Sequence, residues 1–208
     1  ADASIEAIRK ANDAKIPVFL IDREINEAGL AIVQIVADNA QGAAAIAEKW
    51  VEAMDYKGEY AELLGRESDT NCWVRSQNYH SVIDEYPDFK MVAQQTANWD
   101  QTEAYSKTEA ILQAHPEIKG IISGNDTMAC GATQACIDAK RPDIKIIGLD
   151  GSDDAAGYVA KGQMVGTALQ QIARITEMAI EQADEYIKTG KKPASEKQLV
   201  PCIAITQE

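Results

Sequence analysis

The sequence predicts an α/β fold of doubly wound, largely parallel sheets, on three observations. Short apolar runs recur along the chain, amphipathic stretches at helical spacing alternate with them, and turn residues punctuate the joins. Composition agrees: the 208 residues are 46% hydrophobic and 25% charged with only 13 Gly and 6 Pro, which excludes disordered, collagen-like and disulfide-scaffold classes.

Taken in order, Ser4 to Lys15 puts Ile5, Ile8 and Ala11 on one helical stripe, and Ile16-Pro17-Val18-Phe19-Leu20-Ile21 follows as a buried strand ending at the polar Asp22-Arg23. The unit repeats. Ala31 to Val36 reads as a strand before a helix from about Asn39 to Met54, and Tyr60 to Gly65 as a strand before a helix beginning near Asn71. Phe89 to Ala93 precedes a helix from about Gln101, Gly120 to Ser123 one from Asp126, and Ile144 to Gly148 a short one after Ser152. Strands at Val165 to Leu169 and Cys202 to Thr206 bracket a long amphipathic helix from about Ile172 to Thr189. Trp50, in mid-helix, reads as packing.

Charge and residue usage narrow the function. With 33 acidic and 20 basic residues the net charge is −13, a surface that repels phosphate backbones and anionic lipid, so nucleic acid is not an expected partner. No apolar run approaches the roughly 20 residues of a membrane-spanning helix, and Ala1-Asp2-Ala3-Ser4 lacks a signal-peptide pattern, so an exported protein would be represented here by a mature or trimmed chain. Cys72, Cys130, Cys136 and Cys202 form no CxxC pair; an oxidising compartment would allow disulfides among them, but they read mainly as small buried hydrophobes. His80 and His115 are the only imidazoles, too few for a zinc site, and His80 reads as a surface residue rather than as a triad partner of Ser68 and Asp69.

In doubly wound sheets ligands bind beyond the carboxyl ends of the strands. Those exits carry Asp22-Arg23, Ala37-Asp38-Asn39, the stretch Arg66 to Arg75, Asn98-Trp99-Asp100, Asn125-Asp126, Asp150-Gly151 and Gln170. Carboxylates, guanidinium forks and side-chain amides pair with neighbouring hydroxyls, and an aromatic face covers the C–H side of a sugar ring. Each residue also has an ordinary reading: Asp38, Asn71, Asn125 and Asp150 as helix caps, Trp99 as partly buried core, Arg75 as a solvated helix residue. Their joint placement at strand exits is what points to a polyhydroxylated ligand.

In order and spacing these residues resemble the periplasmic sugar-binding proteins of ABC transporters, the type I group that includes ribose- and galactose-binding proteins. The resemblance rests on Ile16 to Arg23, Ala37-Asp38-Asn39 with Gly42, Gly65 with Arg75, and Asn98-Trp99-Asp100. It continues through Gly124 to Ala129 with Gly131-Ala132, Gly148-Leu149-Asp150-Gly151, and Gln170. It implies that Asp22, Arg23, Arg75, Asn125, Asp150 and Gln170 hydrogen-bond the sugar and that Trp99 stacks on its ring. Arg66 falls where a ribose binder has an apolar residue, and Asn71 and Trp73 lie on the approach to Arg75, implying a pocket unlike a ribose site. The resemblance implies two lobes: residues 1–38 and 171–199 as an incomplete N-terminal lobe, and 39–170 and 200–208 as the C-terminal lobe, with hinge crossings near 38, 170 and 200. The family's opening strand-helix-strand stretch of about 60 to 70 residues has no counterpart here; a fragment of a longer chain is expected ahead of completion by a second chain or a naturally shortened homologue, because a parallel sheet without its first strands would expose apolar edge and face.

The implied mechanism is capture of a monosaccharide or polyol by lobe closure and delivery to a membrane permease, without cofactor, metal or chemical conversion. The resemblance implies a periplasmic monomer, or a lipid-anchored extracellular one in a Gram-positive source. An alternative of another class is the effector-binding domain of a lactose-repressor-like regulator, which shares the fold. An enzyme is not expected: neither GxGxxG, GxxxxGK[ST] nor GxSxG occurs.

Overall fold

The protein is described by a computed structural model over residues 4–207. Along the chain the elements are α1 (Ile5–Asp13), β1 (Phe19–Ile21), β2 (Val33–Ala37), α2 (Asn39–Ala53), β3 (Gly58–Leu64), α3 (Thr70–Ile83), β4 (Phe89–Thr96), α4 (Gln101–Ala114) and β5 (Gly120–Ser123). They continue as α5 (Asp126–Asp138), β6 (Lys145–Ile147), α6 (Asp153–Ala160), β7 (Gly166–Leu169), α7 (Ile172–Thr189), β8 (Lys197–Val200) and β9 (Ile203–Thr206). The fold is α/β, as the sequence predicts. It forms two compact units: one holds the chain up to Asp38 and again from Gln171 to Cys202, the other Asn39–Gln170 and the chain from Ile203.

The first unit has a parallel sheet of three strands in the order β1-β2-β8. β2 is buried along its whole length, since it has a strand on each side and α7 packed against it. The expectation of a buried strand at Ile16 to Ile21 is corrected: β1 starts only at Phe19, pairs among the described residues with β2 alone, and leaves Ile16 57% and Ile21 44% exposed. Pro17 accounts for the late start, because it has no N–H to give a ladder. β8 is a strand the hydrophobic pattern did not reveal; Lys197-Gln198-Leu199-Val200 is too short and half polar, and it is ordered by pairing with β2. α7 ends on Gly190 at φ 71, whose N–H donates to the Tyr186 carbonyl at 2.8 Å, a left-handed cap that glycine adopts without strain.

The second unit has six strands in the order β4-β3-β5-β6-β7-β9, parallel except for β9, which runs antiparallel to β7 at the edge. An antiparallel edge strand on an otherwise parallel sheet is a common arrangement. Two layers of helices cover this sheet. α4, α5 and α6 pack over Ala61, Leu63, Ile121 and Ile146, while α2 and α3 pack together with α2 against β6, β7 and β9. Trp50 of α2 is fully buried, as expected for packing: its ring stacks on Phe89 at 5.2 Å, and its Nε1 donates to the Lys145 carbonyl at 2.8 Å. All four cysteines are free and buried.

Candidate functional site

Because β3 to β7 are parallel, their carboxyl ends lie along one edge of the second unit's sheet, and the loops leaving them converge there. α3 starts at this edge. Asp69 caps it by accepting from Asn71 N at 3.0 Å, and its inward stripe carries Asn71, Cys72, Arg75, Ser76, Tyr79 and Ile83 at helical spacing. Arg75 is thereby carried inward and is only 4% exposed, which overturns the ordinary reading of a solvated helix residue.

A buried guanidinium must be paired, and this one is. Nε donates to Asn39 Oδ1 at 2.9 Å, Nη1 donates to the Gly124 carbonyl at 2.8 Å, and Nη1 lies 3.1 Å from Asp150 Oδ1. Among the described residues Nη2 takes part in none of these bonds, which leaves one edge of the fork open. Asn39 in turn donates from Nδ2 to Asn71 Oδ1 at 3.3 Å. Gln170, buried just beyond β7, donates from Nε2 to Asp150 Oδ1 at 2.8 Å. Asp150 is therefore no helix cap. Ser152 caps α6 instead, accepting from Ala155 N.

Trp99 forms the floor beside Arg75. It follows Asn98, and both adopt left-handed backbone, φ 55 and φ 66, which turns the chain sharply after β4. The indole lies where Gly65 and Gly124 have no side chains: a Cβ on Gly65 would overlap the ring, and one on Gly124 would come within 3.0 Å of Trp99 Cζ3. The Arg75 guanidinium stands 5.5 Å over the ring, a cation–π contact, and Trp99 Nε1 is buried with no acceptor among the described residues. Asn125 does act as a cap, accepting from Met128 N through Oδ1 at 2.9 Å. Its Nδ2 is not used in that bond, so capping and ligand contact are compatible in one side chain.

The structure thus brings together Asn71, Arg75, Trp99, Asp150 and Gln170, with Asn125 on the adjoining loop. Arg66 is exposed and donates to the Asn98 carbonyl at 3.4 Å, tying the loops after β3 and β4 at the rim. Trp73 is not brought to Arg75. Two residues along a helix turns it to the other side, where it is 40% exposed and donates to the Glu67 carbonyl at 2.8 Å. Asp22 and Arg23 leave β1 in the first unit, Asp22 at φ 66 with its N–H on the Ile35 carbonyl at 3.2 Å. Asn39 was missed as a site residue. Its signal was present, since it follows β2 directly among the polar strand exits, but an asparagine opening a helix reads first as a cap.

His80 is also corrected. It is half-buried and paired rather than freely solvated: Nε2 lies 3.2 Å from Glu62, which is 1% exposed on β3, and Nδ1 lies 3.1 Å from the exposed Asp84. With both ring nitrogens on these carboxylates, His80 makes no triad with Ser68 and Asp69. The hydrogen bond to Glu62, opposed by burial and reinforced by Asp84, pushes the imidazolium up to about 9. Burial pushes Glu62 up, but hydrogen bonds from His80, Ser76 and Gln94 outweigh it and hold the carboxyl below its ordinary value.

Comparison with known proteins agrees with this geometry. Residues 1–192 match the family model described as a periplasmic binding protein domain. The chain is 56% identical over 206 residues to the D-apiose import binding protein of Actinobacillus succinogenes, covering 99% of this chain and 66% of that protein. It is 51% identical over 207 residues to the protein of the same name from Paraburkholderia graminis, covering 100% of this chain and 66% of that protein. The chain thus spans just under two thirds of the length of these curated relatives. Among solved structures, an ABC transporter periplasmic solute binding protein from Actinobacillus succinogenes with bound D-allose superposes with TM-score 0.92 at 33% identity, covering 99% of this chain and 73% of that one.

Proposed function

The chain belongs to the periplasmic binding protein family, and from that premise we propose that it is the solute-binding part of a sugar importer whose ligand is D-apiose. The observation that carries the proposal is the buried Arg75, fixed by Asn39, Gly124 and Asp150 with one edge of its fork unused. Such an arginine holds a ring or hydroxyl oxygen in a dry site, where a charge-assisted hydrogen bond is at its strongest. Asp150 and Gln170 supply acceptors and donors for neighbouring hydroxyls, Asn125 offers its amide, and the Trp99 floor supplies apolar surface. The cluster is paired internally, so it favours a neutral polyol over an anion, which would compete with Asp150 for Arg75.

The ligand identity rests on two relatives above half identity that carry D-apiose in their names. Asp22 and Arg23 enter as further sugar ligands, and Arg66 and Trp73 as rim residues, on the family resemblance alone. Both relatives are named for import, which ranks transport above the regulator alternative. Capture is followed by delivery to a membrane permease, at the periplasmic or outer face of the cytoplasmic membrane, by a monomer without catalytic turnover.

Isothermal calorimetry of the full-length protein tests the proposal, with D-apiose, D-ribose, D-allose and xylitol as titrants. The expected result is saturable binding of D-apiose at the lowest Kd, weakened by more than roughly tenfold in Asp150→Ala, because a charge-assisted pair leaves a desolvated site. Heat from none of the sugars, or a tighter Kd for another, overturns the ligand assignment.

A further inference from the structure

Asp150 is the residue of the cluster with the least comfortable backbone, at φ 143 where a side chain is disfavoured. Such a conformation persists only where the surroundings over-determine it. The bridge that Asp150 makes to β7 is one part of this, and a residue outside the cluster supplies another. Asp126, the first residue of α5, is 1% exposed. Its N–H donates to the Leu149 carbonyl at 2.9 Å, its Oδ2 accepts from Ser152 N at 2.7 Å, and its Oδ1 accepts from Thr167 Oγ1 at 2.6 Å. The Thr167 hydroxyl, on β7, accepts in turn from Gly151 N at 3.2 Å. Residue 152 is therefore tied to the Asp126 carboxylate, residue 151 to its hydroxyl partner and residue 149 to the Asp126 backbone N–H, while Asp150 between them pairs its own N–H with the Ala168 carbonyl and its carbonyl with Gln170 N–H and turns its carboxylate to Arg75. Gly148 completes the fit, since a Cβ there would overlap Asp126 Oδ1.

A first-turn acid can act simply by complementing the helix dipole. That role needs no contact with the loop after β6 and no hydroxyl on β7, whereas both oxygens of Asp126 are spent on exactly those partners. We propose that Asp126 and Thr167 are positioning residues for the sugar: they clamp the loop on both sides of Asp150 and so present its carboxylate to Arg75, Gln170 and the ligand. The proposal rests on the sugar-binding reading above and extends it to residues that touch no ligand.

Three variants of the full-length protein test it: Thr167→Val, which keeps the shape and removes the hydroxyl, Thr167→Ser, which restores it, and Asp126→Asn. Two readouts are taken, calorimetric Kd for D-apiose and hydrogen–deuterium exchange of residues 148–152 without sugar. Thr167→Val is expected to weaken Kd by roughly tenfold and to speed exchange of that segment alone, Thr167→Ser to restore both, and Asp126→Asn to follow Thr167→Val. If Thr167→Val fails to fold, Asp126→Asn carries the test. A folded Thr167→Val with Kd within about twofold of the parent overturns the proposal. So does a weakened Kd with exchange raised throughout the protein or unchanged in the segment. The exchange arm uses no sugar: if the parent binds no D-apiose the ligand assignment falls, while unchanged exchange alone still sinks the clamp.

Discussion

The two compact units differ in how fully they cover their own apolar side chains. In the second, helices on both faces of a six-stranded sheet leave Trp50, Leu63, Tyr79, Ile121, Ile122 and Ile147 with no exposure. The first, with three strands and two helices, exposes Ile16, Ile21, Ile172, Ile180, Ile187 and Leu199, six of the ten large hydrophobics that are exposed in the structure. Burial grows with the number of layers and the width of the sheet, so a narrow sheet cannot hide what a wide one does. The paired polar cluster sits on the better-packed unit, where fixed donors keep their geometry.

Substitutions in each unit break or sharpen that contrast. The largest effect is expected from Trp50→Ala, which removes a buried stack on Phe89 and the bond to the Lys145 carbonyl: about 3–5 kcal/mol lost in urea denaturation. Next comes His80→Gln, which strips a partner from the buried Glu62 and costs about 1–2 kcal/mol near pH 6. This effect carries a pH signature. His80 is raised from 6.5 to about 9, so its contribution is complete below pH 6.5 and disappears as pH rises through about 9. Glu62 is lowered from 4.5, so its share is present above that value and goes as pH falls through the folded value. The melting temperatures of parent and variant should thus differ most between those limits and converge above pH 9; a gap that persists at pH 10 contradicts the ion pair.

In the first unit, Gly190→Ala forces a side chain into the left-handed cap of α7, where there is open space but strained backbone, and is expected to cost about 1 kcal/mol. The smallest effect is expected from Ile187→Gln, at a position 73% exposed: within about 0.5 kcal/mol by the same denaturation. A loss of 2 kcal/mol or more there would show that the outer face of α7 is covered in the full-length protein.

Much of this was legible in the sequence, for local reasons. Gly120-Ile121-Ile122-Ser123 followed by Asn125 reads as strand, turn and cap, and each of those preferences agrees with the tertiary structure. β8 and the exposed β1 were not legible, because pairing with β2 decides both, and a partner distant in sequence leaves no mark on a four-residue pattern. The site was legible as strand exits carrying polar residues. What the chain order hides is the side of the helix: Trp73 and Arg75 are two residues apart and face different ways. His80 was misread for the same reason, since its carboxylate partner Glu62 comes from a strand 18 residues earlier.

The four buried cysteines have a practical consequence. Burial pushes the thiols of Cys72 up to about 11 and of Cys130 and Cys136 up to about 12, and alkylating reagents attack the thiolate. With Cys202 buried as well, the native protein should react only slowly with a maleimide at neutral pH. One cysteine added at the exposed rim, in place of Arg66 for instance, would take an environment-sensitive dye without removing any native thiol, turning the protein into a single-label optical sensor for the proposed ligand.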